Sequence, residues 1–322
     1  MKVSVLIITY NHERFIAQAV ESALMQQTDF DYEIVIGEDC STDGTREIVR
    51  ELHRRHPDKI RLLLPEKNLG VARNFAQTLD ACHGEYVALL EGDDYWTSPD
   101  KLQKQVEFLD SHPQCATCSH RVTIVHDDEQ NRPDTVYPSF VKEISTLEDL
   151  FKQEIVPTPS IMFRNKLFTE FPQWVFASYM VDFPLHVLNT QHGAIGHLMD
   201  IMAVYRVHSG GVYSGQSAIR NQEASVKLYE YINEHLNYKL KKVIDRRILE
   251  CSYTLAAIYT DIGDPTKARA HAAKCLSYRP FFSYLPLKLK VLLRLHAPFL
   301  FRLLKRASLL SVARRTRNAK VS

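Results

Sequence analysis

The sequence predicts an α/β fold, with a mostly parallel β-sheet flanked by helices and an all-helical C-terminal region. In residues 1–90, short β-branched runs alternate with polar turns and with segments of helical periodicity, a pattern that indicates right-handed βαβ crossovers. From about Ala218 onward, the apolar residues recur only at helical spacing. We therefore expect one domain over residues 1–215 and a second over residues 216–322.

Individual elements follow from the same patterns. Strands are predicted where β-branched residues cluster between turns, at Val3–Thr9, Glu33–Glu38, Ile60–Leu64, Tyr86–Leu90, Ala116–Val125, Ser160–Arg164, Ala194–Leu198 and Met202–Val207. Helices are predicted between the first four strands and at Lys101–Asp110 and Tyr179–Gln191, with a polar loop at Asp127–Pro138. Leu255–Pro280 resembles a single tetratricopeptide-like helix pair, which needs neighbouring helices to bury its apolar face.

Charge is divided unevenly along the chain. Of the 40 Lys and Arg residues, 14 follow Asp264, which is the last acidic residue, so residues 1–264 carry a net charge of −12. Between Leu287 and Arg306, basic residues alternate with Leu and Phe, which favours an amphipathic helix at an anionic membrane surface. The alternatives are a helix packed on the N-terminal domain and a nucleic-acid site, which the scarcity of aromatic residues there disfavours.

The cysteines and the N-terminus indicate a chain that stays in the cytoplasm, in contact at most with the inner face of the membrane. Six scattered cysteines favour a reducing compartment. Cys115 and Cys118 form a Cys-x-x-Cys pair in a predicted strand, and the sequence has no second Cys-x-x-Cys pair, which disfavours a four-cysteine zinc site. The apolar run Val3–Thr9 is too short for a signal peptide, and no stretch of 18 apolar residues occurs.

Polar residues follow each of the first four strands, and in a parallel sheet these strand ends face one crevice. There Tyr10 is suited to stack on a base, and Asp39 to accept a hydrogen bond from a base or a ribose. Glu91, Asp93 and Asp94 form a carboxylate cluster that requires a proton or a cation between its members. Oxygen ligands select Mg²⁺ or Mn²⁺, which take further ligands from substrate phosphates. The sequence contains no glycine-rich phosphate loop, so metal, Arg or Lys must neutralise the phosphates.

Four motifs in this order resemble family 2 glycosyltransferases with the GT-A (Rossmann-like) fold, and the resemblance covers residues 1–215. They are Val-Ser-Val-Leu-Ile-Ile-Thr-Tyr-Asn (3–11), Glu-Asp-Cys-Ser-Thr-Asp-Gly-Thr (38–45), Asn-Leu-Gly-Val-Ala-Arg-Asn (68–74) and Glu-Gly-Asp-Asp-Tyr-Trp (91–96). The resemblance implies inverting, Mn²⁺- or Mg²⁺-dependent transfer of a hexose or N-acetylhexosamine from a nucleotide-diphosphate sugar, most often a UDP-sugar. The implied acceptor is a glycan or a lipid-linked molecule of bacterial polysaccharide or lipopolysaccharide synthesis.

The resemblance also implies roles for single residues. The donor-binding positions are Thr9, Tyr10, Asn11, Asp39, Asn68, Arg73, Asp93 and Arg206. The metal ligands are Asp93, His208 and Glu91, although Glu-Gly-Asp-Asp departs from the family's Asp-x-Asp-Asp. Asp182 is the expected general base, with a helix cap as the alternative. Trp96 is either the floor under a bound sugar or a core residue. Residues 157–160 are expected to lead into a strand beside the acceptor site. No histidine other than His208 is given a role.

Two other functions stay open at this point. A nucleotidyltransferase would use the same acids and metal, but it usually begins with a glycine-rich loop, and Leu6–Arg14 contains no glycine. A sugar-nucleotide-binding scaffold protein would work through the basic helical tail and would not need the acidic residues. Asp39, Asp93 and Asp182 are all present, which favours the enzyme.

Overall fold

A computed structural model describes residues 1–127, 132–139, 142–152, 156–278 and 289. These residues form two compact units, one of Met1–Gln216 and one that begins at Ser217. The basic tail predicted between Leu287 and Arg306 falls outside the described residues, apart from Leu289. Among the described residues, no helix combines the length and the apolar character that crossing a membrane requires.

The first half of the sheet is parallel, as the sequence predicts. Its strands are β1 (Val3–Thr9), β2 (Tyr32–Glu38), β3 (Ile60–Leu63) and β4 (Tyr86–Glu91), in the order β3-β2-β1-β4. The crossovers carry α1 (Ile16–Leu24), α2 (Thr45–Arg55) and α3 (Val71–Asp80). Val5 and Ile7 pack into the core on one face of β1, and Leu6 packs into a second core on the other. Burial on both faces explains the continuous apolar run of β1.

The second half of the sheet is mixed. Its strands are β5 (Tyr95–Trp96), β6 (Cys115–His126), β7 (Thr135–Tyr137), β8 (Ile144–Ser145), β9 (Met162–Arg164) and β10 (Ala194–Val207). The order continues from β4 as β9-β6-β10-β5, with β9 antiparallel to both neighbours and β6 parallel to β10. The helices here are α4 (Lys101–Ser111), α5 (Leu147–Lys152) and α6 (Asp182–Thr190), with 3₁₀ turns at Thr158–Ser160 and Gln173–Ala177.

Several predicted elements begin or end one to three residues away from their predicted bounds, among them β9, which begins at Met162 and not at Ser160, and two regions are organised differently. The two strands expected between Ala194 and Val207 are one strand, β10, whose pairing with β6 shifts register between Leu198 and Ala203. The predicted loop Asp127–Pro138 contains β7, which pairs with β6. In both cases, pairing with the long strand β6 supplies backbone hydrogen bonds that residue type does not reveal.

The second unit is helical in the part that the structure describes. It contains α7 (Ala218–His235), α8 (Lys241–Asp261) and α9 (Pro265–Ser277). Helices α8 and α9 are joined at Gly263, which has a φ of +79°, and the Asp264 side chain caps α9 by accepting from the backbone N–H of Lys267. Leu249 and Ala272 are buried in the core between these two helices. The segment predicted to be tetratricopeptide-like, Leu255–Pro280, begins inside α8 and includes all of α9, and its last two residues lie outside the described residues.

Candidate functional site

Three strand ends of the parallel half of the sheet meet at one edge. Thr9 at the end of β1 is paired with Glu38 at the end of β2. Ile8, one residue earlier, is paired with Glu91 at the end of β4. Thr9, Glu38 and Asp39 are all buried at this edge. The register of the parallel strands therefore gathers polar side chains from three separate segments.

Asp39 fastens the loop that follows β3 to the end of β2. Its Oδ1 accepts a hydrogen bond from the backbone N–H of Leu69 at 2.7 Å, and its Oδ2 accepts one from Gly70 at 3.0 Å. The Asn68 amide donates back to the Asp39 carbonyl at 2.9 Å. Burial raises the pKa of Asp39, against the two backbone hydrogen bonds, which act to lower it. Asp39 and Asn68, both predicted to bind the donor, thus lie against each other.

The residues after β1 face the same edge. Asn11 adopts a left-handed conformation with a φ of 56°, which asparagine tolerates better than most residues. It joins the first loop to the second by accepting from the backbone N–H of Thr42 at 2.8 Å and donating its own N–H to Ser41 Oγ at 2.9 Å. Tyr10 leaves 43% of its surface exposed beside it. Arg73 lies exposed in the first turn of α3.

Glu91, Asp93 and Asp94 form an acid cluster, in which one oxygen from each lies within 4.8 Å of the others. Burial, followed by the charge of Asp93, raises the pKa of both Glu91 and Asp94 well above the ordinary carboxyl value. Oδ1 of Asp93 and Oδ2 of Asp94 are buried without a hydrogen-bond partner. Unpartnered carboxylate oxygens held this close together fit a divalent cation, which would remove their mutual repulsion.

Two histidines flank Asp93. His208 Nε2 lies 2.9 Å from Asp93 Oδ2, and His12 Nε2 lies 3.8 Å from the same oxygen. Burial acts to raise the pKa of Asp93, but the hydrogen bond with His208 and the charges of His12 and His208 together outweigh burial and hold the pKa below its ordinary value. Burial lowers the pKa of His12, which favours the neutral imidazole that metals bind. The ring of Phe15 packs against His208 with a centroid distance of 4.8 Å.

Arg206 forms hydrogen bonds with two residues of the acid cluster, Asp93 and Asp94. Its backbone N–H donates to Asp94 Oδ1 at 2.8 Å, and its guanidinium donates to the carbonyl of Asp93. The guanidinium carbon lies 4.4 Å from the ring centroid of Tyr95 and 5.0 Å from that of Phe15. In this structure Arg206 fixes the loop that carries the acids. The diphosphate contact that the resemblance implies for it stays a prediction.

Asp182 is the first residue of α6 and lies near the acid cluster. Its Oδ1 accepts from the backbone N–H of Phe183 at 2.8 Å, and its Oδ2 accepts from Thr158 Oγ1 at 3.2 Å. Its charge contributes, after burial and Asp93, to the raised pKa of Glu91. The N-cap position is Val181, and no side chain caps the helix there. Asp182 is therefore not the N-cap residue, although its carboxylate accepts one of the free backbone N–H groups in the first turn of α6.

Sequence analysis gave no role to His12 or Tyr205, yet the structure brings both to the acids. Burial, followed by the charges of Asp94 and Glu91, raises the pKa of Tyr205. The signal for His12 was its position three residues after the end of β1, where a polar side chain must face the strand-end crevice. Nothing in the sequence distinguishes Tyr205 from the other residues of β10.

The remaining candidates are core residues. Trp96 is 1% exposed, and its Nε1 donates to the carbonyl of Pro159 at 2.9 Å, so it is not a floor for a sugar. Cys115 and Cys118 are free and buried in β6, as the simpler interpretation of the pair predicts.

Comparison with known sequences identifies the family. The family model described as Glycosyl transferase family 2 matches residues 4–171, which is more than half of the chain. The uncharacterised protein Rv1520 of Mycobacterium tuberculosis is 38% identical over 213 residues. Those residues are 65% of this chain and 60% of the relative, so the chain spans less than two thirds of that protein's length.

Two solved structures have a similar fold. The S. aureus TarS 1–349 structure in complex with UDP-GlcNAc has a TM-score of 0.56 and 20% identity, and covers 90% of this chain and 91% of TarS 1–349. The mannosyltransferase PcManGT from Pyrobaculum calidifontis, in complex with GDP-Man and Mn²⁺, has a TM-score of 0.54 and 18% identity, and covers 92% and 87%. At these identities the likeness shows the fold, and the predicted GT-A fold is confirmed.

Proposed function

This chain belongs to glycosyl transferase family 2, and we propose that it is an inverting enzyme with a UDP-sugar as donor. The donor sugar is a hexose or an N-acetylhexosamine, and the acceptor is a hydroxyl of a glycan or a lipid-linked molecule. One observation carries the proposal: Asp182 lies close enough to the acid cluster for its charge to contribute, after burial and the charge of Asp93, to the raised pKa of Glu91. Inverting transfer needs such a pairing of a leaving-group site with a base.

The acid cluster and His208 are the groups that would hold Mn²⁺ or Mg²⁺. The unpartnered oxygens of Asp93 and Asp94 support this assignment, as does the Mn²⁺ in the PcManGT complex. A bound divalent cation would neutralise the diphosphate that leaves the sugar. Arg206 contributes by fixing the main chain of Asp93, so that the carboxylates keep their positions as charge develops.

Asp182 would take the proton of the acceptor hydroxyl while the acceptor oxygen forms its bond to the anomeric carbon of the donor sugar. The leaving diphosphate departs from the opposite face, so the configuration at that carbon inverts in one step, without a covalent intermediate. The carboxylate is suited to this role because the Phe183 N–H and the Thr158 hydroxyl fix both of its oxygens. A product of retained configuration in a proton NMR spectrum would contradict this mechanism.

The strand-end loops would hold the nucleoside. Tyr10 offers an exposed ring for stacking, and Asp39 and Thr9 lie beside it at the carboxyl ends of β1 and β2. Asn68 and Arg73 border the expected position of the diphosphate. Uracil is the base that the resemblance favours, and the UDP-GlcNAc bound by TarS supports it, whereas PcManGT binds GDP-Man.

The basic tail would bring the enzyme to an acceptor carried on a membrane. Its basic residues, interleaved with Leu and Phe and free of acids, suit peripheral contact with anionic lipids. This part of the proposal rests on sequence alone. It would place the enzyme at the inner face of the cytoplasmic membrane, with no nucleic-acid partner.

The proposal is tested by binding and hydrolysis of a panel of UDP-, GDP- and dTDP-sugars, with Mn²⁺ and with EDTA. Wild type is compared with Asp93→Ala and with Asp29→Ala, which removes an exposed acid just before β2. We expect one donor class to bind in a metal-dependent manner to wild type and Asp29→Ala, and Asp93→Ala to bind at least about 10-fold more weakly. Failure of every donor to bind would favour the scaffold function and turn attention to the basic tail.

A further inference from the structure

A short turn beside Asp182 is held unusually firmly. The 3₁₀ turn Thr158–Ser160 is buried at all three residues. The Trp96 indole donates to the carbonyl of Pro159 at 2.9 Å, and the Gln105 amide donates to the carbonyl of Ser160 at 2.8 Å. The Ser160 hydroxyl lies 2.8 Å from the hydroxyl of Ser119 on β6. These contacts tie the turn to β5, α4 and β6.

The side chains that hold the turn are themselves fixed by a buried lysine. Lys101 is fully buried in the first turn of α4, and its Nζ lies 4.0 Å from the ring centroid of Trp96. The same Nζ donates to Gln105 Oε1 at 2.7 Å. Because that oxygen is engaged, the Gln105 NH₂ group must face the carbonyls of Ser160 and Cys118, which it does. Lys101 thus orients both donors that anchor the turn.

The first residue of the turn, Thr158, contacts the proposed base. Thr158 Oγ1 donates to Asp182 Oδ2 at 3.2 Å, while the backbone N–H of Phe183 donates to Oδ1 at 2.8 Å. The Phe183 bond comes from the residue next to Asp182, so it restrains the carboxylate only locally. The Thr158 bond comes from a separate segment, 24 residues earlier in the chain, that the core anchors. It therefore ties the carboxylate to the body of the domain.

We propose that Thr158 is a positioning residue, whose hydroxyl holds the Asp182 carboxylate in the plane required to take the acceptor proton. The proposal rests on the proposed role of Asp182 as the base. Without the hydroxyl, the carboxylate rotates about its side-chain bonds and spends less time facing the acceptor. The loss should fall on the chemical step, since neither Thr158 nor the turn belongs to the proposed donor site.

The test uses the full chain with Mn²⁺ and two donors, UDP-GlcNAc and GDP-mannose, and measures hydrolysis, in which water takes the place of the acceptor hydroxyl. Thr158→Val removes the hydroxyl at nearly constant volume, and Thr158→Ser keeps it. Thr190→Val is the matched control, because Thr190 lies at the other end of α6 and its hydroxyl donates to the carbonyl of His186. Asp182→Asn reports separately on the base. Melting temperatures show whether each variant is folded.

We expect kcat of Thr158→Val to fall about 10- to 100-fold with little change in KM, and Thr158→Ser to restore most of it. Thr190→Val should keep the wild-type kcat. If Asp182→Asn is inactive while Thr158→Val matches wild type, the positioning role is wrong and the base assignment stands. If Asp182→Asn keeps wild-type kcat, the base assignment fails, and the role of Thr158 fails with it. Equal losses in Thr158→Ser and Thr158→Val would also overturn the positioning role.

Discussion

His208 Nε2 lies 2.9 Å from Asp93 Oδ2, although the two residues are 115 positions apart in the chain. The contact joins the loop after β4 to the loop after β10. It places an imidazole beside the carboxylate cluster, where a divalent cation could be held by both groups.

Asp93→Asn and His208→Gln should both weaken binding of Mn²⁺ in the presence of UDP. Asparagine removes the charge that attracts the cation, and glutamine removes the imidazole, so we expect affinity losses of at least about 10-fold for each. Isothermal titration calorimetry measures the affinity directly. His192→Gln, at an exposed histidine, is the control and should bind as wild type does. Unchanged Mn²⁺ affinity in His208→Gln would remove His208 from the metal site.

Asp182→Asn should reduce kcat by about 10²- to 10⁴-fold and leave the donor dissociation constant within about twofold of wild type. The amide cannot accept the proton, but it keeps the shape of the side chain. Rapid-quench kinetics and equilibrium binding of the same donor separate the two quantities. If donor binding weakened while turnover stayed the same, Asp182 would belong to the donor site and not be the base.

Gly92→Ala should disrupt the acid cluster without removing any carboxylate. A Cβ at this position would lie 2.5 Å from Thr9 Oγ1 and 2.9 Å from His12 Nδ1, so the loop must move away from β1. We expect a stability loss of about 1–3 kcal/mol and loss of metal-dependent donor binding. Thermal unfolding with and without Mn²⁺ and UDP measures both effects.

Gly44→Ala is the control for that substitution. Its Cβ would meet first the end of the Glu13 side chain, at 3.1 Å, and a flexible side chain can move aside. This variant should therefore retain metal-dependent stabilisation. If Gly92→Ala also retained it, the close approach of Gly92 to Thr9 would not matter for the site.

Lys101 should make stability depend on pH in the alkaline range. Burial lowers the pKa of Lys101 to about 7, from 10.5 in an exposed lysine. Between these values the unfolded chain binds a proton that the folded chain does not, so the free energy of unfolding rises as pH increases from 7 to 10. Below pH 7 both states are protonated, and the burial cost is present in full.

Lys101→Met should abolish this rise in the free energy of unfolding. We expect the total rise between pH 7 and pH 10 to be on the order of 2 kcal/mol. It is smaller than burial alone would give, because the adjacent Trp96 ring partly stabilises the ammonium. Urea unfolding at pH 7, 8, 9 and 10 measures it. Lys104→Met, at a lysine that pairs with Asp200 on the surface, is the comparison. Parallel stability curves for wild type and Lys101→Met across this range would show that Lys101 is charged in the folded protein.

Local sequence patterns were enough to predict the parallel half of the sheet and the identity of the strand-end residues. Side chains alternate along a strand, and parallel strands end at one edge, so Thr9, Asp39 and Glu91 had to meet once the four strands were recognised. Local pattern and strand register suffice for such residues. The resemblance to the family then assigned their expected chemistry.

The contacts that connect distant segments of the chain could not be predicted from local sequence patterns. The bond from Thr158 to Asp182, the support of Asp93 by Arg206 and the contact of His208 with Asp93 depend on how β9, β10 and α6 pack against the parallel half. The antiparallel insertion of β9 between β4 and β6 sets that packing. Strand pairing of this kind is decided by side-chain packing and hydrogen bonding between segments far apart in the chain, which no local periodicity records.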